Sequence, residues 1–360
     1  MKKMLFFAAM SAIALTSCVN EGNFESKPQA QVMRFDAPVM KQTRANIKGE
    51  INGVHYATGE DFVVYCKYYP GNFASWTATG VNDYFTATGD TATNEGNNSQ
   101  YWSTANVYYW PEIDYNLAFA AYSPAKFGTK PTSIKHTKHG LQIEGFKTEA
   151  VADDQYDLMY SERVIDRNKS NNGSTAVPLV FHHALSSIVF SSEKEDENVN
   201  YKITDIVLNG KFIQQADFNQ NIEEETNLTN GEAKWDNPAT AADATFEPSF
   251  DPFDVTTVPS MFTKGTSALL LIPQAVPASA EVTIEYQKIV NPGTANETVM
   301  DNRATIKLSD FRQENGNEIT TWEMGKRYVY RIAFGQNKRI YFEPTTTDWI
   351  QESTLIYTIQ

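Results

Sequence analysis

The sequence predicts an all-β protein: two β-sandwich domains in tandem, behind a removable leader and a polar tether. Three observations carry that expectation. Short runs rich in Val, Ile, Thr, Tyr and Phe recur along the chain, each bounded by Gly, Asn, Asp or Pro, as strands are bounded by turns. Within them apolar residues alternate at period two, and no long stretch repeats at 3.6. At 360 residues the chain is long for one sandwich, so two domains fit better.

The elements follow in order. Met1-Lys2-Lys3 gives a positive start, Leu5 to Leu15 an apolar run, and Thr16-Ser17 a pair of small residues. The run is too short to cross about 30 Å of hydrocarbon but suits the apolar region of a secretory signal, roughly 7–15 residues. Residues 1–17 are therefore a leader. Leu15-Thr16-Ser17-Cys18 resembles the lipobox of bacterial lipoproteins, which implies that Cys18 is acylated and becomes the first mature residue, tethered to outer-membrane lipid. Two or more acyl chains hold such an anchor, each buried CH₂ contributing about 0.8 kcal/mol. Residues 18–30 are polar and read as a spacer. The N-terminal domain is expected over 31–192 and the C-terminal domain over 193–360, with the charged "EKEDENVN" at the junction.

The strand candidates include "DFVVYCKYY", "YNLAFAAYSP", "VPLVFHHALSSIVFSS", "YKITDIVLNG", "SALLLIPQ", "AEVTIEYQKIV", "RATIKLS" and "KRYVYRIAFG". In the first, Phe62, Val64, Cys66 and Tyr68 share one face, which makes Cys66 a buried, inert thiol. With Cys18 lipidated, the chain's two cysteines leave no intrachain disulfide. In "WEMGKRYVYRIAF", Gly325 permits a turn, and Tyr328, Tyr330 and Ile332 then alternate with Val329, Arg331 and Ala333 as an amphipathic strand. "KTEAVADDQYDLMYSERV" is the place for a short helix. No internal repeat is evident.

Composition and motifs exclude several classes. A net charge of −14 makes nucleic acid an unfavourable partner. There is no Gly-rich phosphate loop, Gly-x-Ser-x-Gly elbow or His-Glu-x-x-His, and no enzyme activity, cofactor or metal site is expected. His136 and His139 in "KHTKHG" sit beside Lys135 and Lys138, poor company for a cation. His182 and His183 alternate on a strand, so one faces inward and is hydrogen-bonded. The runs "EKEDE" and "EEE" read as solvated loop charge. Trp102, Tyr108, Tyr109 and Trp110 are the candidates for a platform of exposed aromatics that would bind glycans, the alternative to a core role.

Several stretches together carry a family resemblance: "YYWPEIDYNLAFAAYSP", "QYDLMYS", "VPLVFHHALSSIVF", "LLLIPQAV", "WEMGKRYVYRIAF" and "IYFEPTTTDW". In this order, behind the lipobox, they resemble the fimbrillin-like proteins of Bacteroidales, related to fimbrial subunits assembled by donor-strand exchange. The resemblance implies transthyretin-like sandwiches, a lipidated precursor exported to the outer membrane and cell surface, trimming after an Arg by a maturation protease, and head-to-tail assembly with other subunits. It also implies a role in adhesion to a host or bacterial surface ligand. In "QVMRFDAPVMKQTRANIKGE", Val32 to Val39 is expected as a first, edge strand and Lys41 to Arg44 as an accessible connection. Arg44 followed by Ala45 is then the candidate cleavage point, with Arg34 disfavoured inside the strand. Asp90-Thr91-Ala92, expected in an exposed loop, resembles O-glycosylation sites of exported proteins in Bacteroidota, with Thr91 as acceptor. At the end of the chain, "STLIYTIQ" places Leu355, Tyr357 and Ile359 on one face of an extended segment. That segment is the candidate donor strand; the alternative is that it folds into its own carboxy-terminal sheet.

Overall fold

The computed structural model describes residues 31–37, 61–73, 76, 81–96, 99, 101–111, 115–172, 175–195, 199–220, 233–261, 268–311, 317–335 and 352–359; for 171–172 and 352–359 the backbone alone is described. The protein is all-β. The helix expected near residue 150 is a single 3₁₀ turn, Ala152–Asp154. Among the described residues no helix is long and apolar enough to cross a membrane.

The first sheet runs in the order Val177–Pro178, Phe35–Asp36, Tyr101–Thr104, Asp90–Asn94, Phe62–Pro70, Tyr115–Ser123, Met159–Ser161, Phe181–His183. Its two ends belong to one stretch of chain. Leu179 N donates to Asp36 O at 2.7 Å on one side, and Glu162 N donates to Val180 O at 2.7 Å on the other. The sheet therefore closes on itself around a core that includes Phe35, Phe62, Val64, Cys66, Trp102, Leu117, Phe119 and Phe181. Two strands lie off this circuit, Val164–Arg167 beside Tyr115–Ser123 and Asn82–Asp83 beside Phe62–Pro70. The period-two face through Phe62, Val64 and Cys66 lies inside it, with Tyr68 packed against it.

The opposite face of Phe62–Pro70 is also covered, which explains the unbroken apolar run "FVVYC". Val63 and Tyr65 join a second core with Leu141, Ile143 and Phe218 from the sheet Lys234–Asp236, Gln215–Asn219, Gly140–Lys147, Ser133–Thr137, and with Val189, Leu270 and Val329. A third core lies between two further sheets. One holds Ser260–Met261, Ser186–Lys194, Arg327–Phe334 and Glu352–Ile359, with Leu269–Leu271 pairing to Ser186–Lys194; the other holds Ala242–Phe246, Val199–Phe212, Glu281–Val290 and Thr298–Lys307. Ile188, Phe190, Tyr330 and Phe334 meet Ile203, Leu208, Val282 and Ile284 there.

Arg327–Phe334 is not amphipathic in the expected sense. Tyr328, Tyr330 and Ile332 face the third core, but Val329 and Ala333 are buried on the other side. Its sheet is covered on both faces, and a strand so placed reads as a continuous apolar run. Residue 192 lies inside the strand Ser186–Lys194, and Gln215–Asn219 pairs back to Gly140–Lys147.

Candidate functional site

Residues 31–37 occupy a slot between two walls of backbone. On one side Phe35 and Asp36 pair antiparallel with Trp102 and Tyr101, Met33 N donates to Tyr108 O at 2.8 Å, and Trp110 N donates to Gln31 O at 3.0 Å. On the other, Phe35 and Asp36 pair parallel with Val177 and Pro178, and Val177 N donates to Arg34 O at 2.8 Å. Strand alternation sends Met33, Phe35 and Ala37 inward, all buried, and Val32 and Arg34 outward, where Arg34 meets Glu95 at 3.2 Å. The first strand is thus not at an edge as expected, because residues 177–179 continue the sheet beyond it. Arg34 lies between the isolated Val32–Tyr109 bridge and the strand Phe35–Asp36, its carbonyl bonded and its side chain paired.

The slot is lined by aromatic rings, and its walls carry contacts that do not involve residues 31–37. Its floor is aromatic, and the Phe35 ring lies edge-on to Phe62, Phe85 and Phe119 at 6.5, 6.2 and 6.1 Å between centroids. The wall over 106–110 is pinned by Asp90, whose carboxylate accepts from Tyr108 Oη at 2.5 Å, Asn106 Nδ2 at 2.9 Å and Thr86 N at 3.3 Å. Tyr108 also stacks on Phe85 at 4.0 Å, and Tyr84 Oη donates to Tyr109 O at 2.5 Å. Burial, and then the Asp90 bond, push the Tyr108 hydroxyl up to about 12, so it remains a donor. The far wall is braced by Arg167, whose guanidinium donates to Ala176 O at 3.3 Å.

This geometry overturns the aromatic platform. Trp102 and Trp110 are core residues, Tyr108 is held by Asp90 and Phe85, and of the four only Tyr109 is exposed. Aromatic density in "YWSTANVYYWP" reflects a closed core that needs filling from this wall. The role of Asp90 was missed. Its signal was an acidic residue at the start of a strand, two residues before an inward Ala92, with Asn106 and Tyr108 available to donate. Thr91 is exposed, but it lies on the strand Asp90–Asn94 rather than in a loop.

The terminal strand Glu352–Ile359 runs parallel to Arg327–Phe334 at the margin of its sheet, with Leu355, Tyr357 and Ile359 in register with Tyr330, Ile332 and Phe334. It has one neighbour among the described residues, whereas the strand in the slot has two. Cys18, Arg44 and Ala45 lie outside the described residues.

A family model described as fimbrillin-like matches residues 43–349. The chain belongs to the fimbrillin-like family. Among solved structures it is similar to a fimbrial protein from Bacteroides vulgatus at 15% identity, TM-score 0.56, covering 88% of this chain and 99% of the other. It is also similar to a candidate cell adhesion protein from Bacteroides ovatus at 14% identity, TM-score 0.50, covering 91% and 100%. These likenesses establish the shared fold. No curated protein matches the sequence.

Among the remaining polar candidates of this fimbrillin-like protein, His136 and His183 are buried. His136 is buried among Trp76, Tyr65 and nearby cations, while His139 is exposed on the turn. Burial first, then Lys67 and Arg163, lower the His136 imidazole to about 3. His183 is the inward member of its pair and meets the buried Asp157 carboxylate at 2.7 Å; His182 meets Glu162 at 3.0 Å. Glu193 departs from its expectation as solvated charge. It is buried within the strand Ser186–Lys194, 3.8 Å from Arg331, and burial raises its pKa. Residues 223–225 lie outside the described residues.

Proposed function

We propose that this fimbrillin-like protein is a non-enzymatic structural subunit of a cell-surface fimbria, assembled by strand donation between subunits. In this reading the chain is exported as a lipoprotein held in outer-membrane lipid through Cys18. A maturation protease then cuts between Arg44 and Ala45 and releases residues 31–37. The two-domain layout, 31–192 and 193–360, is kept, with Ser186–Lys194 as the strand at the seam.

The observation that carries the proposal is the slot, whose walls are pinned by bonds that do not involve its occupant. Removing the strand opens a closed sheet, leaves unpaired groups on two walls and uncovers an aromatic floor. An incoming segment must place apolar residues at every second position. Leu355, Tyr357 and Ile359 repeat the spacing of Met33, Phe35 and Ala37, and strand addition of this kind draws affinity from the main chain and specificity from side-chain seats. The terminal strand gains a second ladder by moving from its margin into a slot. A donor at one end and an acceptor elsewhere make a contact that does not close, so it propagates as a fibre. Other fimbrial subunits are then its partners, and fimbriae of this family place it at the cell surface, with adhesion to a host or bacterial surface ligand as the setting.

The test is N-terminal sequencing of the surface form. A mature chain beginning at Ala45, with the Arg44→Ala variant retained as unpolymerised precursor, is the expected result. Polymers built from chains that begin at Cys18 refute it. Thr91 remains the candidate O-glycosylation site, now as an outward strand residue; Thr91→Ala should lower the intact mass by more than the substitution itself.

A further inference from the structure

The strand Thr298–Lys307 closes one side of its sheet, and among the described residues no strand pairs with its outer edge. It pairs with Glu281–Val290 through ten consecutive residues without a bulge, and it contains no proline. Long regular edges are templates for a further strand, and proteins usually blunt them with bulges, prolines or inward charges. This strand has no bulge and no proline, and its charged residues, Asp301, Arg303 and Lys307, are exposed rather than turned inward. Val299 and Met300 on it are 50% and 42% exposed.

The sequence of this edge is complementary to itself. In an antiparallel pair, residues that turn their N–H and C=O outward face one another, so a two-fold axis between two copies of one strand must pass through a residue. Placed on Asn302, the axis sets Asp301 opposite the partner's Arg303 and Arg303 opposite the partner's Asp301. It also sets Met300 opposite the partner's Ala304 and Val299 opposite the partner's Thr305. Moving the axis to Arg303 would set two guanidinium groups against each other, which opposes pairing. Charge thus favours the axis on Asn302 over its neighbours on Asp301 and Arg303, each of which sets like charges against each other.

We infer that Thr298–Lys307 is a self-association edge, through which two copies of this protein pair antiparallel about Asn302 to make one continuous sheet. The contact is isologous and closes at two copies. It uses a surface separate from the slot and the terminal strand, so it would join chains side by side. A two-strand contact of this size belongs to the weak, transient class.

The experiment uses the unprocessed full chain carrying Cys18→Ser, purified without the maturation protease so that the slot stays filled. Sedimentation equilibrium should show a reversible monomer–dimer equilibrium. Arg303→Asp replaces both attractive pairs with repulsive ones and should weaken dimerisation about tenfold, and Asp301→Arg combined with Arg303→Asp should restore it. Independently, Asn302→Cys places a thiol on the axis and should form a disulfide dimer under mild oxidation. Thr298→Cys, which sits about 27 Å from its equivalent in that register, should not. Cys66 is buried and does not compete. A chain that is monomeric throughout, a charge exchange that fails to restore the dimer, or cross-linking at 298 as fast as at 302 overturns the inference.

Discussion

Phe35→Ala separates the precursor from the mature subunit. The Phe35 ring is fully buried and meets three other aromatic rings edge-on. Truncating a buried Phe to Ala costs about 3–5 kcal/mol, and three aromatic contacts, each about 0.5–1.5 kcal/mol beyond area burial, put this site at the upper end. Domain stabilities of about 5–15 kcal/mol make that a large loss. Denaturant unfolding of the unprocessed chain should show it as a lower midpoint at unchanged slope. If the strand leaves during maturation, fimbriae from the variant gene should be as stable as wild type, because residue 35 is absent from them. Should Phe35→Ala abolish export, Phe35→Leu keeps more of the buried volume and gives the same contrast with a smaller loss. A mature form weakened as much as the precursor would refute the reasoning, since it would mean that the strand stays.

Three further outcomes follow from the internal polar groups. The His136 imidazole is lowered from 6.5 to about 3 in the fold, so the unfolded chain takes up the proton first. The stability present above pH 6.5 is therefore lost as pH falls towards 3, by at most about 5 kcal/mol, and His136→Phe should flatten that part of an acid-unfolding series. An unchanged acid slope in the variant would exclude His136 as its source. Asp90→Ala removes the acceptor for Tyr108 and Asn106 and should cost on the order of 3 kcal/mol, with faster amide exchange over 106–110; exchange confined to residue 90 would show that the wall does not depend on it. His183→Ala leaves Asp157 buried without its imidazole and should cost about 3–5 kcal/mol, whereas His182→Ala, at a half-exposed pair, should cost under about 1 kcal/mol; equal losses would contradict the burial assignment.

Alternation made the strands legible, down to the inward face of Phe62, Val64 and Cys66. Patterning also marked Met33 and Phe35 as apolar members of a first strand. It could not tell that this strand is interior, because its outer neighbour, residues 177–179, lies far away in sequence and contributes only a two-residue ladder. The aromatic platform failed for a related reason: Trp102 and Trp110 look available until the sheet is seen to close over them. Arg327–Phe334 and Glu193 were misjudged as half-solvated because a second buried layer on the far side of their sheet leaves no periodicity to read. Asp90 belongs to the least legible kind of residue, a carboxylate whose donors come from a separate strand connection.

Photo-cross-linking from position 357 in native fimbriae tests the central claim most directly. A photoreactive residue in place of Tyr357 should yield cross-linked peptides from the slot walls and floor, residues 101–110, 119 and 175–181, joined between two subunits of the ladder. Cross-links confined to residues 327–334 of the same chain, in fimbriae that are nonetheless polymeric, would contradict strand donation by the terminal segment.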